Sequence, residues 1–224
     1  MNRVLTIATL GLAITAVAGT GCKKDKGGET ASQGAPSVAT PAFVRVVHGA
    51  DAGSVDIAVN GVNVASGLAK NAFVRDRVPF PAGAANVTVS SNGSQIASAT
   101  VNVSAGSNYT FVVLGNSTTG VEGVLIGDDL ASAGGKNRFV HGLAGVGAID
   151  VEADGGAALA SGLSYRQASG FVAPPAGFQR ATVKSGGAVV AVDAVPTNAA
   201  RAVTTVLVNQ GAGAHFINVV DRTN

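Results

Sequence analysis

Tryptophan is absent from this chain, cysteine and methionine occur once each, and aromatic residues fill only 4% of its 224 positions. The single cysteine, Cys22, rules out an intramolecular disulfide. With so few large rings, a core has to be assembled from Val, Ile, Leu and Ala within a hydrophobic share of 46%. Charge is thin as well: 12% of residues are charged, about half the usual share, and the formal net charge is +2. Basic residues do not cluster beyond Lys23-Lys24-Asp25-Lys26. Binding to nucleic acid rests on dense positive charge facing phosphates, so nucleic acid is not expected as a partner. No long stretch carries helical spacing. Glycine is plentiful instead, at 31 residues, roughly twice its usual share, and points to many turns.

The N-terminal stretch is laid out as an address. Arg3 supplies a positive charge, Val4 to Ala18 is apolar apart from three Thr and a Gly, and small residues lead to Cys22. An apolar stretch of about 15 residues behind a charged start is the layout of a secretory signal, and it is shorter than the roughly 20 residues of a membrane span. Thr20-Gly21-Cys22 resembles the bacterial lipobox, in which the cysteine becomes the first mature residue and carries lipid, palmitate included; Gly19 stands where Leu is common in that motif. Residues 1–21 are therefore expected to be a lipoprotein signal peptide, with Cys22 as the lipid attachment site and the membrane as partner through it. Lys23, rather than an acid, after the Cys leans toward the outer membrane. Residues 22–40 read as a disordered tether, because Val38 is their only large apolar residue.

From Pro41 onward the apolar period is two. Val55, Ile57 and Val59 alternate with Asp56, Ala58 and Asn60; Val87 and Val89, Val101 and Val103, and Ile149 and Val151 behave alike. That is the pattern of half-buried strands. Asn60-Gly61, Asn92-Gly93, Asp154-Gly155 and Gly186-Gly187 punctuate them as hairpin turns. The pattern also repeats. His48 matches His141, Asp56 matches Asp150, Ser66-Gly67-Leu68 matches Ser161-Gly162-Leu163, and Pro81-Ala82-Gly83 matches Pro175-Ala176-Gly177. Each copy has about seven short strands, which predicts an all-β chain of two tandem immunoglobulin-like or transthyretin-like β-sandwich domains, at residues 41–130 and 136–224. Copies this long are expected to bury separate cores.

Arg-Val-Val-His, an Asp within a hydrophobic strand, Asn-Gly or Asp-Gly, and then Pro-Ala-Gly resemble the bacterial family called domain of unknown function 4397, over nearly everything from Phe43 to Val220. Family members often have Ser-Pro-Asp after the His; here Gly49-Ala50-Asp51 lacks the Pro, and Gly142-Leu143-Ala144 lacks the Asp. The resemblance implies an exported or surface-attached protein with tandem copies, and no established activity.

The repeated His48/Asp56 and His141/Asp150 pairs admit two readings. As base and orienting carboxylate they would need a nucleophile on a shaped element and an oxyanion pocket, and no nucleophile elbow accompanies Ser66 or Ser161. As metal ligands they fall short of the three or four that a site requires, and Asp128-Asp129 lacks an acidic calcium loop around it. The favoured reading is structural: an imidazole at a strand end needs polar partners, and an Asp across a tight loop is one candidate. Arg45, Arg138, Arg75 and Arg77 are expected to be solvated strand residues with salt partners rather than an anion site. No catalytic residue, metal or cofactor is assigned.

The expected protein is a non-enzymatic, lipid-anchored component of the bacterial cell envelope, a structural or adhesion-like interaction module whose partner is another envelope protein or a surface ligand. A ligand- or metal-binding surface protein using the His-bearing loops comes second, and a hydrolase third.

Overall fold

The structure is a computed structural model that describes residues 39–116, 118–131, 133–211 and 213–221. Among them there is no helix, in keeping with the all-β expectation. The first copy contributes β1 (Ala42–His48), β2 (Val55–Val59), β3 (Val62–Leu68), β4 (Val78–Phe80), β5 (Gly83–Ser91), β6 (Ser94–Val103), β7 (Asn108–Asn116) and β8 (Gly120–Asp128). The second contributes β9 (Asn137–Gly142), β10 (Ile149–Ala153), β11 (Ala158–Leu163), β12 (Arg180–Ser185), β13 (Ala188–Ala194), β14 (Val203–Gln210) and β15 (Gly213–Val220). Each copy is a two-sheet sandwich: β4-β1-β7-β8 over β3-β2-β5-β6 in the first, and β15-β14-β9 over β11-β10-β12-β13 in the second. Where the first copy has β4, the second keeps only the isolated bridge between Asn137 and Val172.

Turn chemistry places most hairpins where the sequence indicates. Asn60, Gly61, Asn92 and Gly93 all have positive φ, the backbone that Asn-Gly tolerates best. The β10–β11 turn is longer than a two-residue Asp-Gly hairpin, with positive φ at Gly155 and Gly156.

Within each copy the first strand runs parallel to a later one: β1 beside β7, and β9 beside β14. Parallel strands are normally covered on both faces, and these are. Val44, Val46, Phe111 and Val113 enter the first copy's core with Ile57, Val87 and Val103. Phe139 and Leu207 enter the second copy's core with Ile149, Val151 and Val183. The alternate residues point the other way and form a third cluster that belongs to neither copy alone: Val47, Val112 and Leu114 pack with Val140, Val206, Val208, Ile217 and Val219. Each copy thus buries a core of its own, and the two share a third within one compact unit, which period-two alternation does not reveal. The physical reason for the sharing is that β1, β7, β9 and β14 carry valine or leucine on the second face in addition to the apolar side chains of the first, and that apolar surface has to be covered.

The shared core has a pseudo-two-fold pattern, in which residue i meets j and the equivalent of j meets the equivalent of i. A Cβ on Gly49 would lie 2.5 Å from Val208, and one on Gly142 would lie 2.5 Å from Leu114. Gly142 is the equivalent of Gly49, and Val208 of Leu114, at offsets of 93 and 94 residues.

Candidate functional site

His48 and Asp56 bond different partners rather than each other, as do His141 and Asp150. His48 is fully buried at the end of β1, and its Nε2 bonds the Gly53 carbonyl at 2.9 Å. His141, equally buried, bonds the Gly147 carbonyl at 3.0 Å. The Leu143 amide donates to His141 Nδ1 at 3.2 Å, so the ring is the neutral tautomer with its proton on Nε2. Burial pushes the pKa of both imidazoles down, opposed in each by the carbonyl that Nε2 meets. Each His is a staple that fixes the loop following its strand.

The two aspartates do a different job. The Gly67 amide donates to Asp56 Oδ1 at 2.7 Å, and the Gly162 amide to Asp150 Oδ1 at 2.8 Å. Opposite each Asp the ladder slips: Val55 pairs with Leu68 but Ile57 with Ala65, and Ile149 pairs with Leu163 but Val151 with Ala160. Ser66-Gly67 and Ser161-Gly162 are therefore β-bulges, two residues facing one. Gly67 and Gly162 take φ of 58° and 61°, a left-handed backbone that glycine adopts without steric cost. That twist turns the glycine amide out of the ladder, and the Asp carboxylate accepts it. The recurring Ser-Gly-Leu is thus a bulge, and no hydrogen bond among the described residues joins Ser66 or Ser161 to a His. Among those residues no three His, Cys, Asp or Glu side chains stand together as a metal set. Cys22 lies outside the described residues.

The groups brought together most closely include arginines expected to be solvated, which the structure buries instead. Arg45 and Arg138 are 5% and 2% exposed, and both sit in the layer between the copies. Arg45 Nη2 lies 2.9 Å from Asp221 Oδ1, and Arg138 Nη2 bonds Asp128 Oδ1. Arg138 is the equivalent of Arg45, and Asp221 of Asp128, both at an offset of 93 residues, so these two ion pairs are pseudo-symmetric partners across the copies. Asp128 also accepts from Thr110 Oγ1 at 2.9 Å. A calcium role for Asp128 is thereby ruled against, since arginines already hold its carboxylate.

The symmetry breaks at Arg77. One guanidinium spans both acids, with Nη1 2.7 Å from Asp128 Oδ2 and Nη2 2.8 Å from Asp221 Oδ1. Nη1 also donates to the Tyr109 carbonyl at 2.5 Å. Residue 171, which stands in that place in the second copy, is Phe, and its ring lies 4.7 Å below the Arg138 guanidinium. Arg138 Nε donates to Thr204 Oγ1 at 2.9 Å. The equivalent Nε of Arg45 has no partner, and Asp221 Oδ2 has none either. Burial pushes the pKa of Arg45 down; Asp221 opposes that and Arg77 adds to it.

Beside this layer a cavity of about 720 Å³ opens between the copies. Its charged lining consists of Arg45, Arg75, Arg77 and Arg201 against the single acid Asp76. Phe43 and Phe73 supply apolar wall, and Asn108 and Asn218 supply amides. Arg75 and Arg201 are exposed and form no ion pair among the described residues.

A family model described as a domain of unknown function (DUF4397) matches residues 42–138 and again residues 135–224. No curated protein matches the chain.

Proposed function

The chain belongs to the family described as a domain of unknown function (DUF4397), carried here as two tandem copies, and from that premise we propose a non-enzymatic, lipid-anchored binding module of the bacterial cell envelope. The observation that carries it is the fate of the repeated polar residues. Both histidines are buried against backbone carbonyls, and both aspartates accept from bulge amides. A general base needs a free nitrogen within reach of a nucleophile's proton; His141 Nδ1 is taken by the Leu143 amide, and His48 Nδ1, though unpartnered, is buried with no serine hydroxyl bonded to it. The His loops, read from sequence as a second route to ligand binding, are held in place by those same bonds. The cavity between the copies is the better working surface, because it combines charge, amides and apolar wall in one recess.

The anchor is supported by the layout around Cys22: charged start, apolar stretch, small residues and a unique cysteine. Several acyl chains, at about 0.8 kcal/mol per buried methylene, would hold the protein on the membrane stably. Fractionation tests this directly. The wild-type chain is expected with the outer membrane and Cys22→Ser in the soluble fraction; equal membrane retention of both overturns the anchor. Labelling of one serine by a serine-directed probe, lost on His48→Ala or His141→Ala, would overturn the non-enzymatic assignment.

A further inference from the structure

We propose that the cavity between the copies binds one small organic oxyanion, a carboxylate or phosphate group attached to an apolar body, with Arg75 and Arg201 holding the charge and Phe43 and Phe73 covering the body.

Three observations carry it. The first is the balance of charge on the wall: four arginines face the space and one carboxylate, Asp76, opposes them. The two buried acids of the region, Asp128 and Asp221, are already held by Arg45, Arg77 and Arg138, and Asp129 next to the lining residue Leu130 is not among the lining side chains. An oxyanion entering the space therefore meets surplus cationic charge beside low-dielectric protein wall, where attraction is stronger than in bulk water.

The second is the state of Arg45. It is 5% exposed, it lines the cavity, and its Nε has no partner. A buried guanidinium left one bond short is a costly arrangement, and the equivalent arginine in the other copy has that bond, to Thr204. The asymmetry leaves the Arg45–Asp221 pair beside the cavity one bond short on each side, at Arg45 Nε and at Asp221 Oδ2.

The third is the choice of residue. Arginine presents a planar fork of donors that matches carboxylate and phosphate oxygens two at a time. Phe73 lies under the Arg45 guanidinium, 6.0 Å from it, and Phe43 is 39% exposed, a large apolar ring left open at the mouth. A bare inorganic anion would use the arginines and leave both rings wet; an anion on an apolar body uses both.

The test uses the full-length chain with Cys22→Ser and two probes, phenyl phosphate and inorganic phosphate, titrated by calorimetry at low salt. Phenyl phosphate is expected to saturate one site per chain and to bind more tightly than inorganic phosphate. Arg75→Ala/Arg201→Ala is expected to weaken phenyl phosphate binding roughly tenfold or more, from the loss of hydrogen bonds to a charged group. Both arginines are exposed and outside the buried ion cluster, so the double variant should melt like its parent. Arg75→Lys/Arg201→Lys, which keeps the charge and loses the fork, should fall between. Phe43→Ala should narrow the preference for phenyl phosphate over inorganic phosphate. The same oxyanion chemistry occurs in free metabolites and in lipid headgroups. Sedimentation with phosphatidylglycerol vesicles that disappears in Arg75→Ala/Arg201→Ala assigns it to a headgroup; saturation in solution without such sedimentation assigns it to a free ligand. Absence of both, or binding unchanged in the double variant, overturns the proposal. It rests on the binding-module reading only in that the ligand is not turned over, and its failure leaves the Cys22→Ser fractionation result standing.

Discussion

Gly49 touches Val208 across the two copies so closely that a Cβ on the glycine would stand 2.5 Å from Val208 Cγ1. Glycine at the end of β1 is there for close approach, since its φ is not in the left-handed region. Gly49→Ala is expected to destabilise the protein by about 1–3 kcal/mol through overpacking. Val208→Ala should relieve part of that, so the double variant loses less than the sum of the singles. Gly142→Ala should behave differently: its Cβ also meets the Leu207 carbonyl at 2.7 Å, and backbone cannot be trimmed. Urea unfolding of the four variants checks this, and strict additivity at Gly49/Val208 would contradict the contact.

Asp221 is fully buried and holds both Arg45 and Arg77. Asp221→Ala leaves Arg45 without its acid and Arg77 with Asp128 alone, and removal of one partner from a buried pair costs about 3–5 kcal/mol. The half-exposed pair between Lys184 and Glu152 is a control, where Glu152→Ala should cost no more than about 1 kcal/mol. If the two variants unfold at the same urea concentration, the buried cluster does not stabilise the junction.

Asp56 and Asp150 each accept the amide of a left-handed bulge glycine. Asp56→Ala should cost about 1 kcal/mol, the net worth of an ordinary hydrogen bond, because the bond is exposed. Asn keeps an acceptor oxygen and should cost less. Gly67→Ala should cost about 1–2 kcal/mol from the left-handed backbone alone. Hydrogen exchange at the Gly67 amide should speed up in Asp56→Ala and stay unchanged in His48→Asn. Linked changes in the two variants would reinstate a His–Asp pair.

Burial lowers the pKa of His48 and His141 from the ordinary 6.5. Between 6.5 and the lower folded value the unfolded chain binds more protons than the folded one, so stability rises with pH there. The contribution is complete above 6.5, is lost as pH falls toward the folded value, and levels off below it. Unfolding midpoints measured from pH 7.5 down to 4.5 should decline through that window, and His48→Asn/His141→Asn should flatten the decline. An undiminished slope in the double variant would assign the pH dependence to other groups.

Either copy expressed alone would expose one side of the shared cluster. The first copy would present Val47, Val112 and Leu114 together with Arg45 stripped of Asp221. Residues 41–130 are expected to associate or to be insoluble, and to recover a folded form when mixed with residues 136–224. A well-behaved monomer of either copy, seen by size-exclusion chromatography with light scattering, would refute the shared core.

Much of this architecture was legible in the residues. Period-two alternation in Val55–Val59 and Ile149–Val151, with Asn-Gly turns, located strands and hairpins because those strands have one buried and one wet face. The shared core was harder to read. Its signal was the unbroken apolar run of Phe111-Val112-Val113-Leu114, matched by Val206-Leu207-Val208, which alternation does not register. Arg75 is exposed, as expected; Arg45, Arg77 and Arg138 are not, because the face they occupy is closed where the copies meet. His48 and Asp56 looked like a pair because they are near in sequence. The competing partner of Asp56, the Gly67 amide, exists only once a bulge forms on the neighbouring strand, a feature of ladder register rather than spacing. The recurrence of Ser-Gly-Leu was the available clue to it.

The replacement of an aromatic ring by Arg77 at one of two equivalent places has a wider meaning. Two identical chains meeting about an axis must duplicate every feature or straddle the axis with it. Joining the halves into one polypeptide lifts that requirement, so one half can carry a third cation while the other carries a ring to cushion one. The result is a lopsided junction that no symmetric dimer of a single copy could build, with a recess whose two sides differ.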